Sequence, residues 1–284
     1  MDDISACIVG YARVENIQLL ISKLNKLGIS RIYLYLDGAK DKVIKERQDN
    51  LIEELIRINV KGSKLIVKRR KSNWGASVSV IKALDDFFAT EQFGLILEDD
   101  LDFDEDFIKF VRIMSPAFLA NDNCWILSGS NLIAPTSTST YINYPQIWGW
   151  ATSAQKWTWM KTSLLSKKQV FTTSVPLQIQ SFWKTGHRRA IKGFLDVWDL
   201  PLACAMLSLQ KLTVLPPVNL VSNLGNDAYA THTGTVDIFK ARSKLPRDFE
   251  VYISEVGIAR RNSDFEKDIF KIKFKHIFSY PKCI

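Results

Sequence analysis

LILEDDLDFDED, residues 95–106, is an apolar run that stops abruptly at three carboxylates, Glu98, Asp99 and Asp100. Asp102, Asp104, Glu105 and Asp106 follow closely. Apolar residues closed by adjacent carboxylates predict a buried strand whose carboxyl end opens into a site. Clustered carboxylates repel one another and lose hydration on burial, so a cation is their natural partner. Hard oxygen ligands favour Mg²⁺ or Mn²⁺, often shared with a substrate phosphate. This is the reading for Asp99 and Asp100, since ligands collect at strand ends; the competing reading is a solvated acidic turn. For Asp104, Glu105 and Asp106 the turn is preferred. Phe107, Phe110 and Val111 follow them at helical spacing, and acidic residues suit a helix N-terminus.

On the N-terminal side, strand and helix patterns alternate. Residues 6–11 (ACIVGY) predict a buried strand, and 14–27 a helix with Ile17, Leu20, Ile21, Leu24 and Leu27 on one face, stopped by Gly28. A second strand over 31–36 (RIYLYL) closes on the turn dipeptide Asp37-Gly38. A charged helix over 41–58 has Leu51, Ile52, Leu55 and Ile56 as its apolar stripe. A third strand over 65–68 leads through Trp74-Gly75 to a helix over 76–89, and the fourth strand, 94–97, ends at the carboxylates. This alternation predicts an α/β fold with a mixed, mostly parallel sheet flanked by helices. Gly10-Tyr11-Ala12-Arg13 lacks the GxGxxG of a dinucleotide-binding domain.

On the C-terminal side the regularity falls. A helix over 107–119 and a short strand over 125–128 are legible, and 131–144 is read as a polar loop. Trp148-Gly149-Trp150 opens a segment in which Trp157, Met160 and Leu164 suggest a helix. Residues 180–207 read as mostly helical, with Pro201 marking a start or a break. A strand over 213–215 precedes Pro216-Pro217, and 219–235 reads as a loop covering a site.

With 284 residues, 46% hydrophobic and 24% charged, the chain has the composition of a globular protein. No apolar run nears the roughly 20 residues that span a bilayer. MDDIS has no basic region before an apolar stretch, and Cys7, Cys124, Cys204 and Cys283 are scattered as reduced thiols would be. A cytoplasmic protein is expected, with Cys7 and Cys204 in the core. The net charge of +8 lies away from the acidic cluster, around 68–71, 161–168, 187–192 and in the tail. None of these stretches has the layout of a nucleic-acid reader, so nucleic acid is not an expected partner. In the tail, Phe270, Ile272 and Phe274 alternate with Lys271, Lys273 and Lys275. That pattern fits a half-buried strand with a basic face, and its second reading is a patch resting on an anionic membrane.

Four blocks together resemble glycosyltransferases of the GT-A fold. The likeness is to bacterial nucleotide-diphospho-sugar transferases and, more distantly, to the inverting N-acetylglucosaminyltransferase I group. The blocks are residues 5–13, Asn73-Trp74-Gly75, residues 95–107, and residues 197–233 with Trp198-Asp199, NLVSNLG and ATHT. The resemblance implies one catalytic domain over 1–240, with a nucleotide-sugar-binding half (1–106) and an acceptor-binding half (107–240), then an extension over 241–284. It implies inverting transfer from a nucleotide-diphosphate sugar to a glycan or lipid-linked glycan acceptor, with Mn²⁺ or Mg²⁺, in bacterial surface-glycan synthesis.

By motif position Asp100 is the metal ligand, Asp99 lies near the ribose or sugar, and Glu98 is less directly involved. Asp37 is placed beside the base or ribose, against a plain turn. Arg13 is placed at the base or diphosphate, against a surface cation. Asn73, with Gly75, is placed at the base or ribose, against a helix cap. Inversion needs one base to take the acceptor proton. Asp199 is the candidate and Asp196 the runner-up, with an N-cap role as the alternative for Asp199. His232, in the ATHT loop, is read as a metal ligand or diphosphate contact, or as a partly exposed loop residue. Trp148 and Trp150 could stack on an acceptor sugar, with Gly149 allowing close approach, or pack in the core. Trp-Gly-Trp stands where the eukaryotic relatives have a Gly-Trp-Met type of segment, so acceptor identity does not carry over from them. The alternatives are a sugar-phosphate nucleotidyltransferase, of whose phosphate loop residues 10–13 are a poor version, and a non-catalytic nucleotide- or sugar-binding protein.

Overall fold

The computed structural model describes residues 4–58, 62–132, 136, 138–164, 166, 177–225, 262–264 and 267. The chain opens with β1 (Ser5–Gly10), α1 (Val14–Lys26), β2 (Arg31–Leu36), α2 (Lys42–Ile58), β3 (Lys64–Arg69), α3 (Ala76–Phe88) and β4 (Phe93–Glu98). It continues through β5 (Leu101–Phe103), α4 (Asp106–Leu119), β6 (Cys124–Ser128), β7 (Thr140–Ile142), β8 (Trp150–Ser153) and α5 (Ala154–Leu164). It closes with α6 (Leu177–Ile191), α7 (Asp199–Leu209), β9 (Leu212–Leu215) and β10 (Val221–Asn223).

Among the described residues, eight strands form one sheet in the order β3-β2-β1-β4-β8-β6-β9-β7. β1 to β4 are parallel, as short βαβ connections require. β8 enters antiparallel between β4 and β6, β9 is parallel to β6, and β7 runs antiparallel at the edge. The result is the mixed, mostly parallel sheet flanked by helices that the sequence predicts. A separate ribbon pairs β5 with β10 antiparallel, Leu101 opposite Asn223.

Alternation along the central strands fills both faces of the sheet. Ala6 and Ile8 of β1 join the apolar faces of α1, α2 and α4, while Cys7 and Val9 face α3, α5 and α7. The predicted stripe of α1 is buried at Ile17, Leu20, Ile21 and Leu24. Cys7 and Cys204 are fully buried, as expected. Burial of α2 differs in one detail: Leu51 and Leu55 face the core, but Ile56 is 73% exposed. One residue advances the helix by about 100°, which carries Ile56 off the stripe that Leu55 closes.

Two stretches read as loops contain strands. Thr140–Ile142 pairs with β9, and Val221–Asn223 pairs with Leu101–Phe103 inside the acidic stretch. Three residues are too few to show periodicity, so these pairings come from the partner strands. The helix expected over 180–207 is two helices. Pro201 lies in the first turn of α7, where the missing N–H costs no helical hydrogen bond. Among the described residues, no helix is long and apolar enough to cross a membrane. The 268–278 tail lies outside the described residues, as does most of the 241–284 extension.

Candidate functional site

β4 ends at Glu98, and the chain turns sharply through Asp99 and Asp100 before β5. Asn16 of α1 fixes that turn from behind, its side-chain amide donating to the carbonyls of Asp99 (2.8 Å) and Leu101 (2.8 Å). The Asp99 carboxylate bends back over the end of β1. It accepts from the Tyr11 backbone N–H at 2.7 Å and pairs with the Arg13 guanidinium at 3.0 Å. Arg13 and Asp99 thus reach each other, and Asp99 organises the loop after β1.

Asp100 faces the other way. Its backbone carbonyl accepts from Leu224 N–H at 2.6 Å, and its carboxylate receives a long contact, 3.4 Å, from the Asn223 side-chain amide. Gly225 packs against the same carboxylate so closely that an added Cβ would lie 2.7 Å from Oδ2. Burial, then the neighbouring charge of Asp99, pushes the Asp100 pKa up to about 6. Glu98 is raised well above the usual carboxylate range by burial, then by the charges of Asp100, Asp99 and Asp199, with Arg13 opposing. Asp199 is therefore within electrostatic reach of the strand end. It begins α7 as an exposed residue, is also felt by the buried Tyr144, and accepts from the Leu200 N–H at 2.9 Å. The N-cap position of α7 is Trp198, which makes no side-chain cap bond; Asp199 is the first helical residue and serves one N–H of the first turn.

Asp37 is 5% exposed, and its carboxylate accepts from Gly38 N–H, the Asn73 side-chain amide, Trp74 N–H and Gly75 N–H at 2.9–3.2 Å. Asp37 and Asn73 are thus spent on each other and on the loop leading to α3. Asn73 does not cap α3. The cap position is Gly75, at φ +81°, and a carboxylate distant in sequence serves the helix end instead. Asp196 accepts from Ala76 N–H (2.8 Å) and Ser77 N–H (2.9 Å). Burial works upward on Asp196, but those hydrogen bonds hold its carboxyl below the usual range. Both oxygens of Asp196, the second candidate base, are thus engaged by the first turn of α3.

Trp150 is fully buried in β8 and stacks on Trp198, ring centres 5.8 Å apart. A ring so enclosed has no face left for a sugar, so the structure corrects that expectation. Gly149, at φ +57°, closely approaches Val221 and Phe107 of the protein itself. Trp148 is half-buried against the core under α4. His232 lies outside the described residues.

The residues beside the acidic turn that local sequence pattern does not mark are Asn16, Asn223 and Leu224. Asn223 to Gly225 sit within the NLVSNLG block, which is a usable signal. Asn16 carries none, because only the tertiary fold brings it close.

Among the described residues, no three His, Cys, Asp or Glu side chains converge as a protein-made metal cage. The donor chemistry still fits a shared cation. Asp100 is a half-buried carboxylate with one weak polar side-chain contact and acidic neighbours. Mg²⁺-type sites commonly use one or two carboxylates plus substrate phosphates.

No family model matches the chain, and no curated protein matches it. Solved structures give loose likenesses. The inositol-1-phosphate CTP transferase from T. maritima is 12% identical, over 92% of this chain and 99% of that one, with a TM-score of 0.42. A putative glucose-1-phosphate thymidylyltransferase from Bacillus anthracis is 13% identical, over 83% and 99%, also with a TM-score of 0.42. A UDP-glucose pyrophosphorylase bound to UDP-glucose is 9% identical, over 75% and 89%, with a TM-score of 0.40. Likeness at this level carries no argument about activity.

Proposed function

We propose that the chain is a transferase acting on a nucleotide-diphosphate sugar, and specifically an inverting, metal-dependent glycosyltransferase. One observation carries this reading. Two carboxylates in different settings bear electrostatically on Glu98: the half-buried Asp100 two residues on, and the exposed Asp199 at the first turn of α7. A half-buried carboxylate with acidic neighbours suits a cation and an accessible one suits proton transfer.

In this reading Asp199 takes the proton of an acceptor hydroxyl. The freed oxygen attacks the anomeric carbon as its bond to the diphosphate breaks, and the nucleoside diphosphate leaves. A divalent cation held by Asp100 and the diphosphate would supply charge stabilisation of that leaving group. Asp37 and Asp99 act as organisers. They hold the loops after β2 and β1, so that backbone groups face the nucleotide in a fixed geometry. His232 stays in the proposal as a further contact to metal or diphosphate, and Trp148 as an acceptor contact. The acceptor is a glycan hydroxyl, on a lipid carrier or free, in surface-glycan synthesis on the cytoplasmic side.

The competing reading is nucleotidyl transfer, which differs in its products. The deciding experiment has two parts. Melting temperature is measured with UDP, GDP, dTDP and CMP, each with Mn²⁺ and with chelator, because a ligand that binds only the folded state raises it. The matching nucleotide sugar is then incubated with a hydroxyl acceptor, and nucleoside triphosphate with sugar phosphate in parallel. Metal-dependent stabilisation and nucleoside diphosphate release support the proposal. Pyrophosphate from the second mixture establishes nucleotidyl transfer instead. Binding with neither product leaves a binding protein.

A further inference from the structure

The four successive backbone N–H groups of residues 74–77 are shared between two carboxylates. Asp37, at the end of β2, takes those of Trp74 and Gly75; Asp196, between α6 and α7, takes those of Ala76 and Ser77. The second carboxylate comes from 119 residues further along the chain. Its seat exists because residue 75 is glycine: the backbone takes φ +81°, and a Cβ there would collide with Asp196 Oδ2. Two residues on, Trp198 is buried and stacked against Trp150, and Trp150 pairs with Ile96 of β4. The residue after that is Asp199.

We propose that Asp196 is a positioning residue, a latch that holds the connection before α7 on the first turn of α3 and thereby sets where Asp199 stands relative to the acidic end of β4. This rests on the reading of Asp199 as the base. Apolar packing holds the start of α7: Trp198, Pro201 and Leu202 are buried, and Leu200 lies close to Gly186 of α6. Asp196 adds a directional, polar point on a different element, α3. The same contact joins the loop that Asp37 shapes to the helix that carries Asp199, so the two sides of the reaction share one rigid reference. Asp196 does no chemistry itself, since its carboxylate is occupied by backbone donors.

The test uses the full chain and the wild-type donor and acceptor. Asp196→Ala should lower kcat by about 10- to 100-fold while donor KM stays within about twofold, as expected when a reacting group is displaced but binding is kept. Asp196→Asn keeps one accepting oxygen, for either the Ala76 or the Ser77 N–H, and turns its NH2 toward the other donor, so its kcat should fall between wild type and Asp196→Ala. If Asp196→Ala does not fold, Asp196→Glu replaces it, moving the carboxylate by one methylene with the same expected split. An unchanged kcat or a KM effect alone overturns the proposal. Amide exchange supplies a readout independent of turnover. In Asp196→Ala it should speed up at residues 76–77 and also at the start of α7. Faster exchange at 76–77 alone means that Asp199 is not positioned through Asp196, whatever the activity of the chain. Failure of wild type to release nucleoside diphosphate defeats the glycosyltransferase reading but not this latch.

Discussion

The carboxylates of β2 and β4 and the carboxylate of α7 are held in opposite ways. Asp37 and Asp99 are almost enclosed and are saturated by backbone N–H groups or Arg13. Asp199 is exposed and accepts from its own helix turn. In the proposed reading this difference separates scaffold from chemistry. A carboxylate bonded to several donors holds a loop still, while a general base must keep an oxygen open to its substrate. Acidic residues of the same type are therefore held in different ways, and the proposal gives them different work.

The sharpest way to break this contrast is Asp199→Asn. Turnover should fall by about 10²- to 10⁴-fold, with the melting temperature nearly unchanged, because an exposed carboxylate contributes little to folding. A variant that keeps wild-type kcat would remove Asp199 from the chemistry.

Trp150→Ala tests the other side of the contrast. A fully buried ring stacked on Trp198 should cost about 3–5 kcal/mol of stability on truncation, measured by denaturant unfolding. Trp150→Phe should keep both fold and activity. If the Phe variant instead loses acceptor binding with stability intact, the ring is a substrate contact after all.

Asp37→Ala should cost about 3 kcal/mol, since it strands the N–H groups of Trp74 and Gly75 in a partly buried loop. Nucleotide-dependent stabilisation should weaken with it. Loss of nucleotide binding without loss of stability would make Asp37 a direct ligand instead of an organiser.

The smallest expected effect is in pH. Glu98 and Asp100 have raised pKa values, so the metal-free folded protein holds protons that the unfolded chain has already released. Their contribution to stability is greatest below the unfolded value of 3.8 for Asp100 and is lost as pH rises through about 6. Asp86, Glu91 and Asp196, held below their usual values, add the opposite slope, losing stability at lower pH. The melting temperature in chelator should therefore fall by a few degrees between about pH 5 and about pH 7, and Asp100→Asn should flatten that fall. A slope unchanged by the substitution would mean that Asp100 is not the titrating group.

The first hundred residues were legible because their strands and helices carry full periods of apolar residues and follow one another as spatial neighbours. Arg31–Leu36 agrees with its predicted strand at both ends, and β4 differs by one residue at each end. The carboxylates at the end of β4 were equally plain, since their chemistry is written in consecutive letters. What sequence could not give was the partner of each one. Tyr11 and Arg13 for Asp99, Asn223 for Asp100, and Ala76 and Ser77 for Asp196 are brought together across 86 to 123 residues of chain. Trp148 and Trp150 share a motif and, two residues apart, would share a face of a continuous strand; they part company because β8 begins only at Trp150 and Gly149, at φ +57°, breaks the extended chain between them. Local pattern determines which elements form, since periodicity and turn chemistry act over a few residues. Only the tertiary structure decides which carboxylate is left free, because hydrogen-bond donors from distant elements must arrive before any of them is taken.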